Sequence, residues 1–268
     1  MNRYEMAGCP VCAAEGRPVY EQRDLFCGIE GEFGQRYCGR CEMYFLSPRV
    51  REEEIGRYYP ATYAPYVRRV DPGWMRRLAG LAGLTGRRRR IVEKYVRGGR
   101  ILDVGCGAGE FLEQFADDHW ERYATDMSGE ASAAVSCEFH QGAIDQTPPP
   151  FPKMNAITLW HVFEHLYRPE AGLRNAANLL ADDGVLFLAI PDLRCWERVV
   201  FGKYWNGWDP PRHVATYSLK GLSELLARAG MEIVDVVADA CTSDLLALNI
   251  DFVLRGAGIQ ANVRRWAA

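Results

Sequence analysis

Apolar residues recur along the chain at two different spacings, and the spacing changes near residue 74. Before that point the apolar runs are short and separated by turns, as in PVYEQRD, FGQRYC and MYFLSP. Such runs predict short strands whose apolar surface is too small to stabilise a module of this size. Beyond residue 74, apolar strands alternate with amphipathic helices, which predicts a mostly parallel sheet covered by helices.

The alternating region predicts a definite order of elements. We expect helices in MRRLAGLAGL, RRRRIVEKYV, EFLEQFADD, GEASAAVS, PEAGLRNAANLL and SLKGLSELLARAG. We expect strands in RILDVG, ERYATD, CEFHQG, NAITLWH, GVLFLAIPD and MEIVDVVAD. The C-terminal LLALNIDFVLRG fits either a last strand or a helix.

The change of pattern divides the 268 residues into three predicted parts. Residues 1–48 form a small module, residues 49–89 a connector with N-terminal helices, and residues 90–268 the main domain. The net charge of −3 gives no bulk attraction for nucleic acid, although Arg87–Arg90 is a local basic run preceded by Arg76 and Arg77. Neither a membrane-spanning apolar run nor a signal peptide is visible, so we expect a cytoplasmic protein.

The nine cysteines do not follow the pattern of a secreted disulfide framework. Two C-x-x-C pairs, 25 residues apart, provide four thiolates for a tetrahedral Zn²⁺ site of the zinc-ribbon type, and the alternative is a pair of redox dithiols. A closed site of four thiolates would be structural rather than catalytic. The predicted ligands are Cys9, Cys12, Cys38 and Cys41. The scattered cysteines Cys27, Cys106, Cys137, Cys195 and Cys241 are expected to be free thiols.

The main chemical signal is RILDVGCGAGEFL, where a strand ends at Val104 and three alternate glycines follow. Glycine is needed where the backbone turns sharply against a ligand. Glu110 occupies the position of the third glycine in a dinucleotide fingerprint, so that fingerprint fails. Asp103 precedes the glycines and suits a cationic ammonium group, whereas Asp126 ends the next strand and suits ribose hydroxyls. An ammonium and a ribose together describe S-adenosylmethionine.

Four segments in order resemble the class I S-adenosylmethionine-dependent methyltransferases: ILDVGCGAGEF, YATDMS, ITLWHVFEHLYRP and LADDGVLFLAIPD. The resemblance covers about residues 90 to 240 and implies an α/β, Rossmann-like, mostly parallel seven-stranded sheet with helices on both faces. It also implies contacts to the methionine moiety, ribose, adenine and sulfonium of the donor. The residues implied to bind the donor are Asp103, Gly105, Cys106, Gly107, Gly109, Asp126, Met127, Ala143, Ile144 and Trp160.

A second resemblance extends over nearly the whole chain. The segment YWNGWDPPRHVATYS, with its W-x-x-W-x-x-P-R-H pattern, is similar to bacterial methyltransferases that often carry an N-terminal four-cysteine module. Its aromatic side chains suit stacking on a sugar or ring, and its arginine suits an anion. The predicted substrate residues are Glu164, His165, Tyr204, Trp205, Trp208 and Arg212. The alternatives are that Glu164 and His165 only fix a turn, and that the aromatic loop forms the core of a lid.

A hydroxyl acceptor needs a base near neutral pH, and histidine suits that task. We predict His213 or His161 as the catalytic base. The leading hypothesis is O- or C-methylation of a small sugar, lipid-linked or natural-product acceptor, with no nucleic-acid partner. The alternatives are an RNA methyltransferase guided by the zinc module and Arg87–Arg90, and a non-catalytic scaffold.

Overall fold

The computed structural model describes residues 3–60, 86–129, 131–238 and 243–257. The chain divides into two compact units, one formed by Met1–Pro60 with Ile190–Ala268 and the other by Ala61–Ala189. This division differs from the predicted one, which assigned residues 90–268 to a single domain. The expected helix in MRRLAGLAGL lies outside the described residues, as do Arg76, Arg77 and Cys241.

The first unit begins with the short strands that the sequence predicts for its N-terminal part. Strands β2, β3 and β4 form consecutive antiparallel pairs, and β1 pairs with β5. Buried and partly exposed residues alternate along the start of β3, as expected for a strand with one face on a core. The strands are β1 (Tyr4–Glu5), β2 (Arg17–Gln22), β3 (Phe33–Cys38), β4 (Met43–Leu46) and β5 (Arg49–Val50), followed by a 3-10 helix (Glu52–Tyr58).

The second unit contains a sheet of five parallel strands. The spatial order is β10-β9-β6-β7-β8. Along the chain, β7 and β8 are added on one side of β6, and β9 and β10 are then added on its other side. The order reverses between β6 and β9, and the crevice beyond the carboxyl ends of strands at such a reversal is where ligands bind in open α/β sheets. The strands are β6 (Gly99–Val104), β7 (Trp120–Asp126), β8 (Glu138–Gln141), β9 (Met154–Trp160) and β10 (Leu180–Ala189).

Helices pack against this sheet through a core that includes Val92, Ile101, Phe115 and Ala156. The predicted helix in EFLEQFADD is reduced to one 3-10 turn. The α-helices of this unit are Arg87–Tyr95, Ala131–Ala134 and Pro169–Leu179, and its 3-10 turns are Leu112–Phe115 and Phe163–His165.

The C-terminal part of the first unit completes the N-terminal sheet. Strand β11 (Ala215–Thr216) pairs antiparallel with β4, giving the order β11-β4-β3-β2. This ladder explains why the residues after Ile190 group with the N-terminal module. The α-helices here are Trp196–Phe201, Leu219–Arg228 and Ser243–Gly256, with 3-10 turns at Gly202–Tyr204 and Asn206–Trp208. The C-terminal segment that fitted either strand or helix is therefore a helix.

One predicted strand is absent from the described residues. Residues 231–238, which carry the MEIVDVVAD pattern, have no regular structure, and Val234 is 71% exposed. An apolar, β-branched run becomes a strand only when a neighbouring strand pairs with it, and within the described ranges none does. The described sheet of the second unit therefore has five strands, whereas seven were expected. No helix among the described residues has both the length and the apolar character needed to span a bilayer.

Candidate active site

The site in the second unit is built around a glycine corner that follows β6. Gly105, Gly107 and Gly109 have φ values of 70°, 51° and 76°, in the left-handed region that glycine tolerates. A Cβ at Gly105 would lie 2.5 Å from Val162 Cγ2, and one at Gly109 would lie 2.6 Å from Val135 Cγ1. Both the backbone conformation and the surrounding space therefore require glycine at these two positions.

Asp103 lies on β6, directly before this corner, and only 3% of its surface is exposed. Thr158 on the adjacent β9 donates a hydrogen bond from Oγ1 to Asp103 Oδ1 at 2.6 Å. Burial raises the pKa of Asp103 to about 7, although the Thr158 hydrogen bond and the charge of Arg88 act in the opposite direction. The ionised carboxylate is therefore poorly compensated, and a cation beside it would lower its pKa.

Asp126 ends β7 on the other side of the corner and is 6% exposed. Gly107 N donates to its Oδ2 at 2.9 Å, and Ser128 N donates to its Oδ1 at 2.8 Å. Burial raises the pKa of Asp126, while these backbone donors lower it. A carboxylate oxygen accepts more than one hydrogen bond, so both oxygens keep capacity for a pair of ligand hydroxyls. Met127, the next residue after Asp126, is 57% exposed. Cys106, inside the corner, is buried, and burial raises the pKa of its thiol.

The loop after β8 contains the two residues predicted to contact adenine. Ile144 is 1% exposed, whereas Ala143 is partly exposed, so Ala143 offers the accessible surface of the pair. Asp145 is buried, and its Oδ2 accepts a hydrogen bond from Arg168 N at 3.0 Å. Asp145 therefore fixes the loop to the segment that leads into helix Pro169–Leu179.

The carboxyl end of β9 holds Trp160 and His161. His161 has a φ of 58°, which is uncommon for a residue with a Cβ, and its N donates to Ala189 O at 2.9 Å. Its Nδ1 lies 3.3 Å from Oε1 of Glu164, whose side chain is completely buried. Glu164 and the partly buried His165 lie in the 3-10 turn Phe163–His165. Glu164 thus orients His161, a role that sequence reasoning did not assign to it.

The aromatic loop belongs to the first unit and is largely buried. Trp205 and Trp208 are 5% and 2% exposed, and their rings meet edge to face at 4.8 Å. Trp208 Nε1 donates to Gly202 O at 2.8 Å, and its ring contacts Tyr44. These two indoles are core residues in this structure, which agrees with the alternative that the loop forms a core. Tyr204 is partly buried.

Arg212 is completely buried, contrary to the expectation that it meets an anionic substrate. Its guanidinium donates two hydrogen bonds to Asp24 and two to Asp209, at 2.6–3.1 Å, and one to Tyr58 O at 2.9 Å. A guanidinium has five N–H donors, so these partners account for all of them. Arg212 is therefore a structural residue that joins the loops at Asp24 and Asp209. The next residue, His213, is partly buried, with Nδ1 2.9 Å from Gly207 O.

The four predicted metal ligands meet in the first unit. The Sγ atoms of Cys9, Cys12, Cys38 and Cys41 all lie within 4.8 Å of one another. In a tetrahedral site with Zn–S bonds of about 2.3 Å, neighbouring sulfurs are about 3.8 Å apart, so the donor set and its spacing fit Zn²⁺. Burial raises the pKa of the Cys9 thiol to about 11. Cys27 is not part of this cluster.

Two residues near the glycine corner were not found by sequence reasoning. Thr158 occupies a completely buried position on β9, and its only signal was a hydroxyl in an apolar strand. Arg88, which the sequence analysis gave only as part of a local basic run, lies over the ring of Trp160, 4.9 Å from its centroid.

Comparison with known proteins agrees with this geometry. Residues 75–236 match a family model described as a methyltransferase domain. Ubiquinone biosynthesis O-methyltransferases of Xanthomonas campestris pv. campestris are 29% identical over 102 residues, which is 34% of this chain and 43% of theirs. The matched region thus spans less than half the length of these curated relatives.

Several solved structures are similar at low identity. The YcgJ protein of Bacillus subtilis is 22% identical with a TM-score of 0.43, covering 53% of this chain and 66% of that one. The [4+2]-cyclase SpnF is 22% identical with a TM-score of 0.47, covering 57% and 59%. The N-methyltransferase NodS of Bradyrhizobium japonicum WM9, solved with S-adenosyl-L-homocysteine, is 18% identical with a TM-score of 0.34, covering 39% and 60%. Since the family model matches more than half of the residues, the chain belongs to the methyltransferase domain family.

Proposed function

We propose that the chain is an S-adenosylmethionine-dependent methyltransferase acting on a small-molecule acceptor. The observation that carries the proposal is the pair of buried carboxylates, Asp103 and Asp126, on either side of a glycine corner at the point where the strand order reverses. Asp103 would bind the ammonium group of the donor, and Asp126 would bind its ribose hydroxyls. The under-compensated Asp103 and the remaining acceptor capacity of Asp126 fit that ligand.

The bound donor would supply an electrophilic methyl group on a sulfonium. The chain's contribution is to hold the acceptor in line with that group and to keep water out, which accounts for most of the rate gain in such displacements. If the acceptor is a hydroxyl, His161 suits the role of base. A proton on Nδ1 would donate to Glu164, which leaves the lone pair on Nε2 for the acceptor proton. His213, whose Nδ1 is similarly placed near Gly207 O, is the second candidate.

The contacts that arginines of the basic run Arg87–Arg90 make within the chain favour a small acceptor over RNA. Arg89 pairs with Glu93 and Asp117, and Arg88 covers Trp160, so these arginines of the basic run have partners within the chain. Oxygen as the acceptor atom is supported by the name of the curated relatives, which are O-methyltransferases.

Titration calorimetry with S-adenosylmethionine and S-adenosylhomocysteine tests the proposal. Wild-type protein is expected to bind both, and Asp126→Ala to bind both at least about tenfold more weakly, because two ribose hydrogen bonds are lost. The matched control is Asp118→Ala, since Asp118 is an exposed acid of the same unit. If folded wild-type protein bound neither ligand, the proposed function would be wrong.

We also propose that Cys9, Cys12, Cys38 and Cys41 hold a structural Zn²⁺. The cluster supports more than its own loops, because Ser218 Oγ donates to Cys41 O at 2.6 Å and Arg228 donates to Val11 O at 2.7 Å. Helix Leu219–Arg228 is thus fastened to both cysteine loops. Elemental analysis should find about one zinc per chain, lost in Cys38→Ser and retained in Cys27→Ser. Equal zinc content in the two variants would contradict the assignment.

A further inference from the structure

The first unit contains a small cleft, and the residues that line it all belong to that unit. The cleft lies between the loop after β2, the aromatic loop and helix Ser243–Gly256. The cleft and its mouth together comprise about 230 Å³. Pockets for drug-sized ligands are typically about 300–1,000 Å³, so this cleft suits a ligand of a single ring.

Four aromatic side chains line the cleft: Trp205, Trp208, Phe26 and Phe252. The two indoles meet edge to face with ring centroids 4.8 Å apart, and the two phenyl rings meet in the same way at 6.5 Å. Aromatic rings contact one another favourably by their edges and offset faces, so these walls favour a planar aromatic ligand.

Gln22 supplies a polar group at the buried end of the cleft. Its side chain lines the cleft and is only 6% exposed. Its Nε2 donates to Gln35 Oε1 at 2.9 Å, whereas its Oε1 has no hydrogen-bond partner among the described residues. A buried acceptor without a partner is destabilising, and an O–H or N–H group of a ligand would supply the missing donor.

The charges beside Gln22 favour a neutral donor at this end. Asp209 lines the cleft and, together with Asp24, shares the guanidinium of Arg212. Two carboxylates on one guanidinium leave an excess of negative charge. An anionic group of a ligand would therefore be repelled at the buried end, whereas a hydroxyl would not.

The mouth of the cleft carries the opposite charge. Lys203 lines the cleft and is exposed, and within the described ranges no carboxylate pairs with it. Its Nζ lies 5.1 Å from the centre of the Tyr204 ring, which leaves its positive charge uncompensated. Arg23, also at the mouth, pairs with Glu32. The mouth therefore favours a negatively charged group.

We propose that this cleft binds a small aromatic carboxylate that carries a ring hydroxyl. The hydroxyl donates to Gln22 Oε1, the ring packs against the indoles, and the carboxylate lies beside Lys203. The inference does not depend on the function proposed above, because Asp103 and Asp126 belong to the second unit.

Titration calorimetry at low ionic strength with three related compounds tests the proposal. They are 4-hydroxybenzoate, benzoate, which lacks the hydroxyl, and 4-hydroxybenzamide, which lacks the charge. Wild-type protein is expected to bind 4-hydroxybenzoate about tenfold more tightly than benzoate, because benzoate leaves the buried acceptor unpaired. The preference over the amide should be only a few-fold, since Lys203 is exposed and exposed ion pairs are weak.

Two variants should each remove one of these preferences. Gln22→Leu should lose the preference over benzoate and keep the preference over the amide, and Lys203→Ala should do the reverse. The matched controls are Glu21→Leu, at an exposed position on the same strand, and Lys220→Ala, whose lysine pairs with Glu42. Both controls should keep both preferences.

Because only folded protein binds, the ratio of two affinities is unaffected if a variant is partly unfolded. Absence of 4-hydroxybenzoate binding to wild-type protein, or unchanged preferences in both variants, would overturn the inference. Binding of glucose 6-phosphate without binding of 4-hydroxybenzoate would also overturn it, in favour of an anionic sugar. None of these results would alter the affinity for S-adenosylmethionine on which the proposed function depends.

Discussion

Two pairs of buried carboxylates, one pair in each unit of this protein, are compensated in opposite ways. In the first unit, Asp24 and Asp209 share the guanidinium of Arg212 through four hydrogen bonds. In the described part of the second unit, Asp103 accepts a hydrogen bond from a hydroxyl and Asp126 accepts hydrogen bonds from backbone N–H groups. Burial raises the pKa of both Asp103 and Asp126.

The difference separates a structural charge cluster from the proposed binding site. A buried ion pair whose donors and acceptors are all used has nothing left to offer a ligand, however suggestive its residue types are. For buried acids with raised pKa values and free acceptor capacity, ionisation is unfavourable in the ligand-free protein. A cationic ligand beside them would make it favourable. The comparison predicts that substitutions in the two clusters change stability with opposite signs.

The largest effect is expected for Arg212→Ala. It leaves Asp24 and Asp209 buried without their cation, a defect that costs about 3–5 kcal/mol in comparable buried pairs. Thermal unfolding followed by circular dichroism should show a midpoint lowered by several degrees or more. Arg23→Ala, which removes an exposed partner of Glu32, should change it little. Equal midpoints for the two variants would remove the distinction between the clusters.

Asp103→Asn should stabilise the ligand-free protein at pH 8. The pKa of Asp103 is raised from 3.8 to about 7 in the folded chain, so its contribution to stability is complete at low pH and is lost as pH rises towards 7. The amide cannot ionise and avoids this loss. The unfolding midpoint of the variant should exceed that of wild type at about pH 8, with a smaller difference at about pH 5. A lower midpoint at the higher pH would contradict the raised pKa.

The smallest effect is expected for Thr158→Val, which keeps the shape of the side chain and removes the hydrogen bond to Asp103. Because this bond favours the ionised carboxylate, its loss should raise the pKa of Asp103 further. Donor affinity, which requires the charge, should then rise at a higher pH than in wild type, with a difference of a few-fold at about pH 7. Calorimetric titrations across pH measure the shift, and coincident profiles would show that Thr158 does not tune the acid.

Local features of this site followed from the sequence, because they depend on neighbours in the chain. The glycine corner needs its residues at fixed offsets, and the acids before the corner and at the end of β7 come from strand ends that the alternation predicts. Arg212 could not be interpreted in this way, since its partner Asp24 is 188 positions away. Trp205 and Trp208 suggested an exposed stacking surface, because an aromatic residue in a loop has no periodicity that reveals its burial.

The strands of the second unit were likewise predictable from local patterns of apolar residues, whereas the missing strand at residues 231–238 shows the limit of such patterns. An apolar, β-branched run favours the strand conformation but does not determine whether another strand pairs with it. Whether a partner edge is available is decided by the rest of the fold.

The pairing of β11 with β4 has a consequence for how the molecule is made. The N-terminal sheet receives its last strand from residues 215–216, so a ribosome must synthesise the whole intervening methyltransferase unit before that sheet can close. Until then β4 presents an open edge to other chains, and a fragment ending at residue 60 would keep that edge permanently. The small module is thus synthesised before the second unit but completed only after it.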